Sequence, residues 1–338
     1  MASVRHIAKR SGVSITTVSR VLNNHPQVSD DVRRRVLAAS HESGYEHIAH
    51  RRNNTNLAIV YTGENSVGST FDAALMSGIT RAMEQEHFDL VVLDANRSRL
   101  GNESFTQMFM RKGVRGAIMR TTLAVHGVCK TIAEEGFPAV VVGDRFDDPG
   151  MNYVYCDSRD SSRDAVQHLI GLGHRRIAVC VNVIDDSDHA DRLAGYRQAL
   201  ADHDIAFDTR LLLRVPATRE GGVQALRRLL TMPEKPSAVF LTDPLTAVGA
   251  TSEARKIGLK IPDDLSIVGF DDAEVRYGLY PALTAVCQDA EGLGREAFSA
   301  LKSLLSRYKS DGQETEVPVI RKSLRTWLEV HESTGPVK

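Results

Sequence analysis

The residues with the most distinctive chemistry lie in a short stretch near the N-terminus of this 338-residue chain. One guanidinium stands there among short hydroxyl side chains, an amide and an aliphatic group, at the outward positions Ile15, Thr16, Thr17, Ser19, Arg20 and Asn23. Hydroxyl, amide and guanidinium groups hydrogen-bond to phosphate oxygens and to base edges. This face therefore suits a surface that lies against nucleic acid.

Two short helices joined by a tight turn are needed to present that face. Apolar residues recur at helical spacing in both segments, at Val4, Ile7 and Ala8 and then at Val13, Val18 and Leu22. Gly12 can adopt the left-handed conformation that ends a helix, and Ser14 can cap the next one. The pattern predicts a helix-turn-helix with residues 15–22 as the recognition helix. An ordinary helical hairpin with a solvated polar face is disfavoured, because Ala8, Gly12 and Val18 all fall where the motif requires them.

A third helix is expected directly after this pair. Asp30 and Asp31 carry negative charges that suit a helix N-terminus, and Val32, Val36 and Ala39 continue the apolar stripe. Three helices can then close a small core.

The charge of the chain is unevenly distributed. The overall formal charge is only −1, but residues 1–52 hold nine Lys/Arg and four Asp/Glu, which leaves the head at +5 and the remainder at −6. A basic head on an acidic body confines polyanion binding to the head. With 42% hydrophobic residues the chain can also bury the core of two or three domains.

Cysteine usage and the N-terminus give expectations about the compartment. Cys129, Cys156, Cys180 and Cys287 are widely spaced and form no CxxC or Cys/His ligand cluster, so reduced core thiols are expected and neither a metal nor a cofactor is predicted. The N-terminal segment is polar and amphipathic, which is unlike a signal peptide or a membrane span. A cytoplasmic location is therefore expected.

The head resembles the headpiece of the lac repressor (LacI/GalR) family of bacterial transcription regulators. The similarity lies in IAKRSGVSITTVSRVLN and VSDDVRRRVLAASHESGY, and it continues through most of the body. The resemblance implies that Ile15 and Thr16 begin the recognition helix and read base edges and that Arg20 contacts a base. It further implies that Thr17, Ser19 and Asn23 hold phosphates. Ile15 can touch only a thymine methyl or a sugar.

The linker departs from the family pattern. Relatives follow Gly-Tyr with a proline, a short helix and a leucine that wedges into the minor groove, whereas here EHIAHRRNNTNLAIV follows Gly44-Tyr45 without that proline. Ile48 and Ala49 are the apolar candidates for the wedge, and Arg51 and Arg52 could instead enter a narrow minor groove or contact phosphates.

Beyond residue 56 the pattern changes to apolar runs that alternate with helical stretches, in two successive sets. Such alternation predicts an α/β body of two doubly wound parallel-sheet lobes. Ligands bind at the carboxyl ends of such strands, so the residues just after each run matter most. They are Thr62, Asp94, Asp144-Arg145, Thr242-Asp243 and Asp271-Asp272.

The body resembles the periplasmic-binding-protein fold of the same family, through GHRRIAV, DRLAGYRQAL and IPDDLSIVGFDDAE. The resemblance implies three crossings between the lobes, near Asp157, Gln288 and Val319. It also places five residues at a ligand in the cleft, namely Phe71, Asp72, Arg192, Thr242 and Asp271. The alternative is that Arg192 and Asp271 are interlobe ion-pair partners and that Phe71 belongs to the core.

Departures from the family pattern favour a hydroxylated effector. Asp72 stands where relatives often have a second aromatic, Thr242 where an asparagine usually precedes aspartate, and Ala217 where several relatives carry a stacking ring. The only tryptophan, Trp327, is too near the C-terminus to be that platform. Less stacking and more oxygen acceptors favour a sugar or sugar derivative over a purine.

These observations predict a transcription regulator, most simply a repressor, that binds a palindromic operator in double-stranded DNA as a homodimer and responds to a small carbohydrate. The C-terminal segment lacks the heptads that a tetramerising coiled coil requires. The expected boundaries are a headpiece at 1–46, a linker at 47–56, lobe 1 at about 57–157 and 289–318, lobe 2 at about 158–288 and 319–330, and a tail at 331–338.

The sequence also bears on three other classes of protein. An enzyme is disfavoured because no GxSxG, HExxH, P-loop or GxGxxG occurs in a suitable context. A transport protein would need an export signal and would lack the basic head. A regulator whose body binds no ligand, and serves as a dimerisation or protein-binding platform, stays open because of the altered cleft residues.

Overall fold

The computed structural model describes residues 4–22, 28–42, 55–63, 68–306 and 318–338. Within these ranges an N-terminal group of helices precedes two mainly parallel sheets, each with helices on both faces. The predicted fold class is confirmed. Among the described residues, no helix is both long enough and apolar enough to cross a membrane.

The headpiece consists of three helices, α1 (Val4–Ser11), α2 (Ile15–Leu22) and α3 (Asp30–Glu42). Gly12 has a φ of +67°, the left-handed conformation expected for the turn. The Ser14 Oγ accepts a hydrogen bond from the backbone N–H of Thr17 at 3.0 Å, which caps α2. The buried core of the three helices is apolar and comprises Ile7, Ala8, Val18, Val21, Val36 and Ala39. The helix predicted over residues 15–22 therefore begins and ends where expected.

The first lobe contains a six-stranded sheet in the order β11-β5-β4-β3-β1-β2, all parallel. Its first segment runs β1 (Asn56–Tyr61), α4 (Thr70–Met83), β2 (Asp89–Asp94), α5 (Ala95–Ser98), α6 (Phe105–Arg111), β3 (Val114–Arg120), α7 (His126–Glu134), β4 (Ala139–Val142) and β5 (Tyr153–Asp157). The chain returns to this lobe for α12 (Ala290–Leu305) and β11 (Arg321–Arg325).

The second lobe contains a sheet in the order β12-β10-β9-β8-β6-β7, in which only the β10–β12 pair is antiparallel. Its elements are α8 (Arg159–Gly171), β6 (Ile177–Asn182), α9 (Ser187–Ala201), β7 (Leu212–Val215), α10 (Arg219–Leu230), β8 (Ala238–Leu241), α11 (Pro244–Lys256), β9 (Ser266–Asp271), β10 (Thr284–Cys287) and β12 (Trp327–Glu329). Short 3₁₀ turns lie at Leu123–Val125, Thr209–Leu211 and Val275–Gly278.

Each sheet is buried on both faces, which explains the continuous apolar runs in its strands. In β1, Leu57 and Ile59 pack in one core cluster, whereas Ala58 and Val60 pack in the cluster on the opposite face. The four cysteines are buried free thiols, and their expected place in the core is confirmed.

The chain passes between the lobes after Asp157, after Cys287 and at Thr326. The first two crossings agree with the expectation, but the third lies seven residues beyond Val319, because β11 pairs in register with β5 in the first lobe. Lobe 1 thus extends to Arg325. The Thr326 Oγ1 donates to the carbonyl of Asp157 at 3.0 Å, so the first and third crossings are held together.

The C-terminal residues, expected to be a tail, are part of the second lobe. Ser333 is buried and its Oγ donates to the Ile267 carbonyl at 2.6 Å, while the Thr284 N–H donates to the same Oγ at 2.8 Å. The Gly335 carbonyl lies 3.0 Å from the Nε2 of the buried His174. These contacts anchor residues 331–338 across strands β9 and β10.

Candidate functional site

A cavity of about 250 Å³ lies between the lobes, at the carboxyl ends of their strands. Residues from both lobes line it: Ser69, Thr70, Phe71, Asp72 and Arg120 from the first, and Asn182, Val183, Ile184, Asp186, Asp188, His189, Arg192, Pro216, Ala217, Thr218, Asp243, Leu245, Asp272 and Gln288 from the second and its junction. This position at the edges of parallel sheets is the usual ligand site of such folds.

The N-terminal turn of α9 supplies the most densely polar wall of the cavity. Asp186 caps the helix by accepting the His189 N–H at 2.7 Å, and its carboxylate also lies 2.8 Å from the His189 Nδ1. Helix α9 begins at Ser187 and therefore includes both Asp188 and Arg192. Because these residues are four positions apart, they lie on the same face of the helix. Their charged groups approach to 3.6 Å.

Arg192, predicted to contact the ligand, lies on the cavity wall and is held rigidly. Its guanidinium stacks 3.5 Å from the centroid of the buried Phe270 ring, and its Nη1 donates to the Thr242 carbonyl at 2.7 Å. Thr242 itself does not line the cavity: it is fully buried and its Oγ1 donates to the Cys180 carbonyl at 2.9 Å. Its expected contact with ligand is corrected to a positioning role behind Arg192.

Two of the residues predicted in the first lobe also line the cavity. Phe71 lies under Arg120, whose guanidinium carbon is 4.5 Å from the ring centroid. Asp72 is buried, and its Oδ1 accepts from the Arg120 Nε at 3.0 Å and from the Tyr61 hydroxyl at 3.1 Å. Its Oδ2 accepts from the Ser69 hydroxyl at 2.6 Å. Asp72 therefore fixes Arg120 at the edge of the cavity.

Asp271, predicted as a ligand contact, does not reach the cavity. Its carboxylate accepts the backbone N–H groups of Ala273, Val275 and Arg276, and it pairs with the Arg276 Nη1 at 2.6 Å. These contacts turn it toward the loop after β9, because four donors on one side satisfy both oxygens. The neighbouring Asp272 lines the cavity instead, where it accepts from the Gln288 amide and from the Thr70 hydroxyl.

Four buried polar atoms on these lining side chains have no hydrogen-bond partner in the part of the chain that the structure describes. They are the Asp188 Oδ1, the His189 Nε2, the Arg192 Nε and the Gln288 Oε1. An unsatisfied buried polar group costs about 1–3 kcal/mol. Their grouping around one cavity indicates a polar molecule that would satisfy them.

The lobes also touch outside the cavity. Arg145 of lobe 1 forms a two-pronged ion pair with Asp191 of α9, one prong measuring 2.9 Å, and Asp191 also accepts from Arg159 at 2.9 Å. The Leu123 N–H donates to the Asp185 carbonyl at 3.1 Å. These contacts fix the relative orientation of the lobes in this structure.

The headpiece presents its predicted DNA-facing residues on one surface. Ile15 is 48% exposed, and Thr16, Ser19 and Arg20 are exposed. Thr17 is half-buried, and its hydroxyl lies 2.8 Å from the Ser14 Oγ within the cap of α2. Asn23 lies outside the described residues, as do the linker candidates Ile48, Ala49, Arg51 and Arg52.

Comparison with known proteins agrees with both halves of this architecture. Residues 3–47 match the model of bacterial regulatory proteins of the lacI family, and residues 166–324 match a periplasmic binding protein-like domain. The transcriptional regulator CelR of Thermobifida fusca is 32% identical over 337 residues, 97% of this chain and 96% of that protein. The chain belongs to the LacI family of bacterial transcription regulators.

Other members of the LacI family are similar along almost the whole chain. The ribose operon repressor of Haemophilus influenzae is 29% identical over 95% of this chain and 96% of that protein. The solved complex of the regulator CelR with cellobiose has a TM-score of 0.69 at 29% identity and covers 98% of this chain and 100% of that chain. These relatives are an operon repressor and a transcriptional regulator, the class of protein predicted for this chain.

Sequence reasoning missed several residues of this LacI-family cavity. Asp188 and His189 were missed because they precede the DRLAGYRQAL segment that carries the resemblance to the family, although α9 begins at Ser187. Arg120 and Gln288 were missed because single residues at strand ends carry no periodic signal. Asp272 could have been predicted, since the pair at 271–272 directly follows an apolar strand. The sequence does not show, however, which of the two carboxylates faces the cleft.

Two carboxyl groups in the cavity are electrostatically unusual. Burial raises the pKa of Asp188 to about 7, against the lowering effect of Arg192. Burial likewise raises the pKa of Asp272 to about 6. Burial would also raise the pKa of Asp186, but the charge and hydrogen bonds of His189 outweigh it and lower that pKa.

These raised pKa values predict a pH dependence of stability in the unliganded protein. Between the ordinary aspartate pKa near 4 and the raised values of about 6 and 7, the native state binds more protons than the unfolded chain. Stability due to Asp188 and Asp272 is therefore present below about pH 4 and is lost as the pH rises through 6 and 7. Between pH 4 and 8, the melting temperature of an Asp188→Asn/Asp272→Asn double variant should decline less than that of the unmodified protein, by several degrees. The exposed control Asp204→Asn should keep the pH dependence of the unmodified protein. A double variant with the same pH dependence as this control would contradict the prediction.

Proposed function

We propose that this LacI-family regulator changes its operator affinity when a sugar-sized, hydroxyl-rich effector binds in the interlobe cavity. The observation that carries the proposal is the set of unpartnered buried atoms on Asp188, His189, Arg192 and Gln288. They combine donors and acceptors on side chains that line one cavity, which is the pattern that several adjacent hydroxyl groups complement.

The size and lining of the cavity support a small carbohydrate. About 250 Å³ is smaller than the roughly 300–1,000 Å³ of drug-sized sites, so it suits a monosaccharide better than a disaccharide. Phe71 is the only aromatic residue among the described lining residues, and Ala217 lies where a stacking ring would otherwise stand. The cellobiose complex of CelR supports the class of ligand, since that regulator is 29% identical to this chain.

The switch follows from the position of the cavity between two bodies joined by three crossings. A ligand that contacts α9 of one lobe and the Phe71 region of the other favours one interlobe orientation over others. Orientation of the lobes sets the spacing of two headpieces, and spacing decides whether both half-sites of an operator can be held.

A homodimer that binds a palindromic operator completes this proposal. One headpiece reads only a half-site, and twofold symmetry doubles the contacts. Binding to chromosomal DNA places the protein in the cytoplasm.

In the DNA contact we assign base reading to Ile15, Thr16 and Arg20, and phosphate contacts to Thr17, Ser19 and Asn23. Arg20→Ala should reduce discrimination between the operator and a duplex changed at one base pair by about 1–3 kcal/mol. Fluorescence anisotropy with both duplexes at fixed salt measures this difference. The control Arg5→Ala removes one exposed charge from α1 and should weaken both complexes equally. Unchanged discrimination in Arg20→Ala would remove Arg20 from base reading.

The proposed function is tested with the full-length protein and a selected pool of palindromic duplexes. Anisotropy is measured at fixed salt before and after addition of pooled monosaccharides, because phosphate contacts alone can mimic specific affinity. We expect one palindrome to bind far more tightly than scrambled DNA and one sugar pool to shift that affinity. Tight operator binding that no pool alters would overturn the effector part, and sequence-blind binding would overturn the operator part.

A further inference from the structure

The effector cavity is unusually acidic. Five carboxylates line it, on Asp72, Asp186, Asp188, Asp243 and Asp272, whereas the lining guanidiniums are those of Arg120 and Arg192. We propose that the effector is an amino sugar, whose ammonium group is held by the carboxylates of Asp188 and Asp272. This inference rests on the proposed function and narrows its ligand class.

Three of the five carboxylates are already compensated. Asp72 forms a hydrogen-bonded ion pair with Arg120. Asp186 caps α9 and pairs with the His189 ring, and Asp243 caps α11 by accepting the Leu245 N–H at 2.9 Å. Helix N-termini carry a partial positive charge that favours an anion at the cap. These three carboxylates therefore need no cationic group from a ligand.

Asp188 and Asp272 remain with a single cation between them. Arg192 approaches the Asp188 carboxylate only to 3.6 Å, and its Nη1 is used by the Thr242 carbonyl. Asp272 is held by uncharged donors alone, the Gln288 amide and the Thr70 hydroxyl, the latter at 3.4 Å. Asp188 is 8% exposed and Asp272 is half-buried, and the Asp188 Oδ1 has no hydrogen-bond partner among the described residues. When both carboxyl groups are ionised, they therefore outnumber the one cation beside them.

The charge of the ligand determines whether the negative charge of Asp188 and Asp272 is compensated. A sugar phosphate or a uronate would add a further negative charge to a buried acidic space, which is strongly unfavourable at low dielectric. A neutral sugar would satisfy the acceptors but leave the charge uncompensated. An ammonium group supplies three donors and one positive charge, which matches the unpartnered acceptors of Asp188 and Gln288. The raised pKa values of Asp188 and Asp272 are consistent with this lack of a cation.

The test uses sets of sugars that share a ring and differ in one substituent. Glucose, galactose and mannose are compared with glucosamine, galactosamine and mannosamine, with glucuronate and galacturonate, and with the 6-phosphates of the three hexoses. Binding to the full-length protein is measured by calorimetry and by the shift in melting temperature at constant ionic strength. We expect at least one amino sugar to bind ten times or more as tightly as its hydroxyl counterpart, and no binding by the anionic sugars.

Variants show whether the two carboxylates cause this preference. Asp188→Asn and Asp272→Asn keep the shape of each side chain and remove its charge, so each should reduce the preference for ammonium over hydroxyl at least tenfold. The matched control Asp204→Asn, at an exposed position of lobe 2, should keep it. The proposal is overturned if a neutral or anionic sugar binds at least as tightly as its amino counterpart, or if no amino sugar binds. It is also overturned if both variants retain the preference for amino sugars.

A neutral sugar that shifts operator affinity would exclude the amino-sugar assignment and leave the proposed function standing.

Discussion

Replacement of Arg192 by methionine should abolish the effector response while operator binding without effector persists. Arg192 lines the cavity and its Nε has no hydrogen-bond partner among the described residues, and a charge-assisted hydrogen bond is worth about 1.5–3 kcal/mol. Loss of such bonds corresponds to a rise in the effector Kd of about 10- to 100-fold for each bond. Titration of effector into the protein–operator complex, followed by anisotropy, measures the response.

The Arg192→Met variant should fold, because the Asp188 carboxylate, which loses its cationic neighbour, can be protonated. The pKa of Asp188 is already raised to about 7, and loss of the nearby guanidinium raises it further, so the carboxyl is protonated at neutral pH. Arg197→Met is the matched control, since Arg197 lies on the exposed side of the same helix, stacked 4.5 Å from the Phe207 ring centroid. An undiminished response in Arg192→Met, or an equal loss in Arg197→Met, would show that Arg192 does not contact the effector.

Substitution of Asp191 by asparagine should release the lobes from the orientation seen in this structure. Asp191 is 1% exposed and holds Arg145 across the interlobe boundary as well as Arg159 within its own lobe. The arginines left unpaired, Arg145 and Arg159, are 30% and 54% exposed, so the loss is about 1–3 kcal/mol, between the values for surface and buried ion pairs. An equilibrium between interlobe orientations would then shift by about 5- to 150-fold. Small-angle scattering should show a larger radius of gyration, and effector affinity should fall.

Two further variants make this prediction specific. Asp202→Asn is the matched control, because Asp202 lies just after the same helix and pairs with Arg163 inside the second lobe, at 2.6 Å. It should leave the scattering profile unchanged. Arg145→Lys retains the charge but has one donor group in place of a fork, so it should reproduce the effect of Asp191→Asn in weaker form. A scattering profile of Asp191→Asn that matches the unmodified protein would eliminate the ion pair as a determinant of lobe orientation.

Several features of this protein follow from local sequence alone. The recognition helix begins at Ile15 and ends at Leu22 as predicted, because Gly12 and Ser14 are local signals for a helix end and a helix start. The strands β1 and β9 were found because both faces of each sheet are buried, which requires uninterrupted apolar runs. Arg192 was found because the helix that carries it resembles the family pattern.

Other features depend on partners distant in sequence. Strand β11, Arg321–Arg325, is mostly polar and exposed, so it has no apolar run, and only its pairing with β5 shows that the chain crosses at Thr326. The start of α9 at Ser187 has no signal in the apolar pattern of the sequence, because Ser187 and Asp188 are polar. It depends on the Asp186 side chain, which caps the helix.

The sequence by itself determined the class of the molecule: a basic helix-turn-helix followed by two α/β lobes with polar residues after the strands. The tertiary structure decided which of those polar groups face the cavity. Asp271 and Asp272 are adjacent and chemically identical, yet Arg276 and three backbone N–H groups turn the first away, while Thr70 and Gln288 hold the second inward. Composition and periodicity cannot make that choice, because the donors that decide it come from separate segments of the chain and meet only after folding.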